Sequence, residues 1–87
     1  MTLTQHEWLD MFSALNSETR FNIMVLLHNE GEKNEAQISK LFDLNRRWFM
    51  VHINALMSAQ LIDYTDRPTY DHWGITEKGK KVLEILS

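Results

Sequence analysis

The chain has 87 residues, 44% of them hydrophobic and 24% charged, with a net charge of −3 at pH 7. That is the composition of one ordinary globular domain, 1–87, without room for a second core. The absence of cysteine excludes disulfides, thiolate metal sites and thiol catalysis, and a pI near 5.7 argues against a protein that coats nucleic acid non-specifically.

The first residues, MTLTQHEWLDMF, have no basic start and include Glu7 and Asp10, so they do not read as a signal peptide. No stretch approaches the ~18 consecutive apolar residues of a membrane span. A cytoplasmic protein without membrane contact is the expectation. Charge is nevertheless uneven: residues 1–35 hold six acids against Arg20 and Lys33, whereas residues 36–87 hold six acids against seven bases. An anionic partner should therefore meet the second part.

In chain order, Thr4 and Glu7 form a capping box, and Trp8, Phe12 and Leu15 recur at i, i+4 and i+7, which predicts an amphipathic helix over 5–15. Ser17 is a good N-cap, and Glu18 suits the positive end of a second helix that runs through FNIMVLLHN to a stop at Gly31. Apolar on most sides, this helix should be the centre of the core. Asn34 and Gln37 repeat the capping box and predict a short helix over 35–42, with Ile38, Leu41 and Phe42 as its apolar stripe. In the connection Asp43-Leu44-Asn45, Asp43 tolerates a left-handed backbone and Asn45 is able to cap the next helix, 45–60. Two helices joined by so short a turn are a helix-turn-helix candidate.

Beyond Gln60 the period becomes strand-like. Residues 61–65 and 69–75 read as a β-hairpin with Asp66-Arg67-Pro68 at its tip. Thr76 caps a last helix, 77 to about 86, with Val82, Leu83 and Leu86 toward the core and Lys78, Lys80 and Lys81 in water. The expected fold class is mainly α (α+β): four to five helices with a β-hairpin wing in the C-terminal half, the order of a winged helix-turn-helix domain.

Three segments carry a family resemblance. ALNSETRFNIMVLL (14–27) looks like the opening helix of ArsR-like repressors. LFDLNRRWFMVHINALMSAQLI (41–62) resembles their helix-turn-helix, with His52-Ile53 at the usual His-Leu pair and Leu61-Ile62 at the usual helix exit. GITEKGKKVLEIL (74–86) is similar to the Leu-Thr-x-x-Gly-Lys/Arg ending of many winged helix regulators, MarR-like ones included. The resemblance covers 14–86 and implies a DNA-binding transcriptional regulator, homodimeric through its first and last helices, with exposed Val25 and Leu9 as apolar candidates for that contact. The chain departs from the family at Asp43 and Gln60, where glycine is usual, and it lacks the cysteine pair of the metal-sensing members. No metal or cofactor is expected.

Around the 45–60 helix, at 100° per residue, Phe49, Ile53 and Leu56 form the core stripe, while Arg47, Met50, Val51, Asn54 and Ser58 face outward with Arg46 between. Arg46 and Arg47 oppose the helix dipole by roughly 0.3–1 kcal/mol, where stability alone would favour acids. Because helix-turn-helix proteins contact bases with the start of this helix, the pair reads as phosphate or guanine contacts. The structural alternative is a solvated pair bonded to nearby acids such as Asp43. Asn45 is a helix cap, or a contact to phosphate or adenine; Asn54 is an adenine reader or simply solvated. Met50 and Val51 fit thymine methyls or a protein interface. Lys33 and Lys40 are candidate phosphate clamps, and Arg67 at the hairpin tip is placed to reach the backbone or minor groove, against the opposing charge of Asp66 and Asp71. Trp48 and His52, four apart, read as a packed aromatic pair.

The four histidines, His6, His28, His52 and His72, show no metal-binding spacing, and no catalytic triad order, P-loop or dinucleotide fingerprint stands out. No enzyme activity is expected. The expected partner is double-stranded DNA, with the helix over 45–60 in the major groove and the wing, 62–75, on the backbone or minor groove. The rival reading is a winged helix protein-interaction module without DNA binding, supported by the net acidity and the Met50-Val51 face.

Overall fold

A computed structural model of the chain describes residues 4–6, 9, 17–66 and 68–86. From Ser17 onward the described residues form four helices and three strands, in the order α1 (Glu18–Glu30), β1 (Lys33–Asn34), α2 (Glu35–Phe42), α3 (Arg46–Ser58), β2 (Ile62–Tyr64), β3 (His72–Ile75) and α4 (Glu77–Leu86). The helix expected over 5–15 lies largely outside the described residues, including Glu7, Trp8, Phe12 and Leu15; Gln5, His6 and Leu9 are helical.

Local chemistry sets each boundary. Ser17 Oγ accepts from the Arg20 N–H at 3.4 Å to open α1, and Gly31, at φ +84°, closes it by donating to the Leu27 carbonyl. That backbone conformation is open to glycine and strained for other residues. The α2 capping box is reciprocal: Asn34 Oδ1 accepts from Gln37 N and Gln37 Oε1 accepts from Asn34 N, each at 2.9 Å. Asp43 then turns left-handed at φ 55°, while the Leu44 N–H reaches back to the Ser39 carbonyl at 2.9 Å.

The exit of α3 uses the same device. Gln60 sits at φ 63°, its N–H donates to the Met57 carbonyl (2.9 Å), and the Leu61 N–H donates to the Leu56 carbonyl (3.0 Å). This is the paired closure usually built around glycine, and the fully buried Leu56 and Leu61 supply the apolar pair that accompanies it. Both departures from the family's glycine pattern thus fall at left-handed positions.

The three strands form one antiparallel sheet in the order β1-β3-β2, with Lys33 opposite Trp73 and Tyr64 opposite Trp73 on the other side. The hairpin is as expected from the sequence, with shorter strands. The two-residue β1 was not anticipated, because two residues are too few to show alternation. Thr76 ties the sheet to α4: its hydroxyl donates to the Gln60 carbonyl at 2.7 Å and accepts from the Gly79 N–H at 3.0 Å. Gly79 is required there, since a Cβ would run into the Leu61 carbonyl oxygen and the Ile75 side chain.

The core joins Ile23, Met24 and Leu27 of α1, Ile38 of α2, Phe49, Ile53 and Leu56 of α3, Leu61 and Ile62, Trp73, and Val82 and Leu83 of α4. Phe49 meets Trp73 edge-on, with ring centroids 5.3 Å apart. Three expectations need correction. Leu41 and Leu86 are exposed, and Val25, expected at the surface, packs against the core. Within α2, Ile38 and Phe42 lie nearly in line, and Leu41 sits a roughly 100° step away from Phe42.

Candidate nucleic-acid interface

Ile38 and Phe49 anchor α2 and α3 in the core, and Asp43-Leu44-Asn45 carries the chain between them. The left-handed Asp43 reverses direction, and Asn45 Oδ1 accepts from the Trp48 N–H at 2.9 Å, so Asn45 is the N-cap of α3. Arg46 and Arg47 therefore occupy the first two helical positions, both exposed, and α3 carries no acidic residue. The partner of Arg46 is Glu35, the first residue of α2, and not Asp43: Arg46 Nη1 donates to Glu35 Oε1 at 2.6 Å.

The outer face of α3 is narrower than expected. Arg47, Val51, Asn54 and Ser58 are exposed, with Val51 at 40%. Met50, assigned to that face from the sequence, is half-buried and packs against the core. It follows Phe49 by one ~100° step, which leaves it on the rim of the core stripe. The exposed Lys40 lines a shallow groove with Leu26, Glu30, Lys33, Gln37 and Leu41, roughly 140° round α2 from Glu35. It does not join the arginine pair. Lys33 pairs with Glu30 at 3.5 Å. Arg67 lies outside the described residues.

On the opposite flank, Trp48 and His52 form the tilted ring pair their spacing implies, with centroids 6.2 Å apart. His52 does more than stack. Its Nδ1 accepts from Arg20 Nε at 3.1 Å, a link between α3 and α1 that a separation of 32 residues hid from the sequence. Burial, and secondarily the Arg20 charge, lower the His52 pKa below its ordinary 6.5, and the neutral ring is the form whose Nδ1 lone pair is able to accept.

The hairpin tip gathers Asp66, Asp71 and His72, whose ligand-type atoms all lie within 4.8 Å of one another. His72 Nδ1 lies 2.8 Å from Asp71 Oδ1 and 3.3 Å from Asp66 Oδ2, the His72 N–H donates to Asp66 Oδ1 at 2.9 Å, and the Thr69 hydroxyl contacts both carboxylates. Hydrogen bonding with Asp71, then Thr69, holds the Asp66 carboxyl well below the usual carboxylate range, and the bond to Asp71 raises the His72 pKa. The sequence contained this cluster as Asp66, Asp71 and His72 around a turn, but spacing rules for helical histidines could not find it.

A short-turned helix pair that presents arginines, backed by a sheet whose last two strands form a hairpin, defines the winged helix-turn-helix class. No family model and no curated protein matches the sequence. Among solved structures, the chain is similar to an ArsR family transcriptional regulator with a TM-score of 0.79 and 22% identity, over 99% of this chain and 88% of that one. It is similar to a transcriptional regulator from Thermotoga maritima (TM-score 0.71, 20% identity, 91% of this chain and 61% of that one). It also resembles a protein from Mycobacterium tuberculosis (TM-score 0.70, 22% identity, 90% of this chain and 56% of that one). At these identities the likeness is one of fold.

Proposed function

We propose that this chain is a sequence-specific, double-stranded-DNA-binding transcriptional regulator of the ArsR-like kind, acting in the cytoplasm without catalytic activity. The observation that carries the reading is the start of α3: two adjacent exposed arginines, on a helix without acids, at the position where winged helix-turn-helix proteins meet the major groove. Val51 and Asn54 then face base edges, and Asn45, Arg46 and Arg47 stand where the helix enters the groove. The hairpin lies along the backbone or minor groove, where Arg67 supplies its positive charge. Among the described residues no helix is long and apolar enough to cross a membrane.

The regulator acts as a homodimer through the helical segment around Leu9 and through α4, where Leu9, Ile85 and Leu86 are exposed apolar residues. Two copies set recognition helices about 34 Å apart, one turn of duplex. Selection from a random duplex library, followed by binding titrations across salt, tests the proposal. Saturable binding whose log–log salt slope gains roughly −0.9 per phosphate contact is the expected result. Failure to bind any duplex at low salt overturns it.

A further inference from the structure

The two arginines that begin α3 share a charge but not a setting. Arg46 is held by Glu35, whereas no acid is paired with Arg47 among the described residues. In the Arg46–Glu35 pair the acid is the sheltered member: its side chain is 32% exposed and that of Arg46 75%. Glu35 also begins α2, where the helix dipole and the adjacent Asn34–Gln37 box already favour an acid. An exposed ion pair adds little to stability. Its effect is on Arg46, whose long and otherwise mobile side chain is fixed at one end of its planar group.

The geometry leaves that group usable. One Nη1 bond consumes a single donor of five, and the remaining donors point from an open side chain. A guanidinium tethered at one nitrogen, with its other donors free, suits the paired O6 and N7 acceptors of guanine, which demand two parallel bonds. It is a poor phosphate clamp, because the Glu35 carboxylate offsets its charge a few ångströms away. Arg47, without such an acid, keeps its full attraction for phosphate.

Resting on the reading of α3 as a major-groove helix, we infer that Glu35 is a positioning residue that dedicates Arg46 to a guanine, so that Arg46 supplies discrimination and Arg47 supplies affinity. The experiment compares wild type, Glu35→Ala, Glu35→Gln, Arg46→Ala and Arg47→Ala. Each is titrated against the duplex that wild type selects, against single base-pair variants of it and against an unrelated duplex, with thermal melting as the folding control.

Glu35→Ala and Arg46→Ala should lose about tenfold or more of the preference at the same G·C pair. Glu35→Ala should at the same time bind the unrelated duplex more tightly, since an anion has been removed. Glu35→Gln, whose carbonyl still accepts from Nη1, should keep part of the preference, and Arg47→Ala should weaken all duplexes alike. The inference is overturned if folded Glu35→Ala discriminates at every position as wild type does, or loses selected and unrelated duplexes equally. A wild type that selects no duplex overturns the parent reading as well, which separates the two failures.

Discussion

The start of α3 and the tip of the hairpin are both exposed and both rich in charge, yet they use it in opposite ways. At the hairpin, Asp66, Thr69, Asp71 and His72 turn their polar atoms on one another, so the charge there is spent on fixing a turn. At α3, Asn45 alone does the capping; Arg46 gives one donor to Glu35, Arg47 has no acid partner among the described residues, and both side chains stay exposed although they oppose the helix dipole. Charge absorbed by its own neighbours is structural chemistry. Charge kept available at a small cost to the fold points to an external anion.

The largest effect expected from this contrast is in binding. Replacing both Arg46 and Arg47 by alanine should lower duplex affinity by about 100-fold or more, with unfolding unchanged or slightly improved. Asp66→Asn or Asp71→Asn should instead raise affinity by about two- to fivefold, each removing an anion near the duplex, and the gain should shrink as salt is raised. Fluorescence anisotropy at two salt concentrations measures both.

Stability should divide the two apolar residues of α3. Met50→Ala is expected to cost about 1–2 kcal/mol in urea unfolding because its side chain packs against the core, and Val51→Ala less than about 0.5 kcal/mol because its side chain is largely in water. Equal losses would return Met50 to the outer face.

The smallest effect lies in pH. The raised pKa of His72 contributes stability that is complete below its unfolded value, near 6.5, and is lost as pH rises through the folded value. His52 has the opposite sign: its contribution is complete above 6.5 and is lost as pH falls through its lowered folded value. Acidification should therefore firm the hairpin tip while loosening the Arg20–His52 link between α1 and α3. Residue-resolved NMR titration should show the two imidazoles moving to opposite sides of 6.5.

The helix-turn-helix segment was legible in the sequence because its signals are local. Ser17, Asn34, Asn45 and Thr76 cap helices three residues ahead, Asp43 and Gln60 take the left-handed turns, and Phe49, Ile53 and Leu56 repeat at helical spacing. What the sequence hid depends on residues brought from a distance. Glu35 reaches Arg46 only because α2 and α3 fold against each other, Arg20 reaches His52 across 32 positions, and Lys33 and Asn34 become a strand only when β3 lies beside them. Met50 was misplaced for a different reason: a wheel divides residues into faces, whereas packing has a rim.

The most direct test of the central claim is an NMR titration of the labelled protein with the duplex it selects. The largest amide shifts are predicted over residues 45–54, centred on Arg46 and Arg47, with smaller changes at the hairpin. Shifts concentrated in α4, with 45–54 unmoved, would contradict the account.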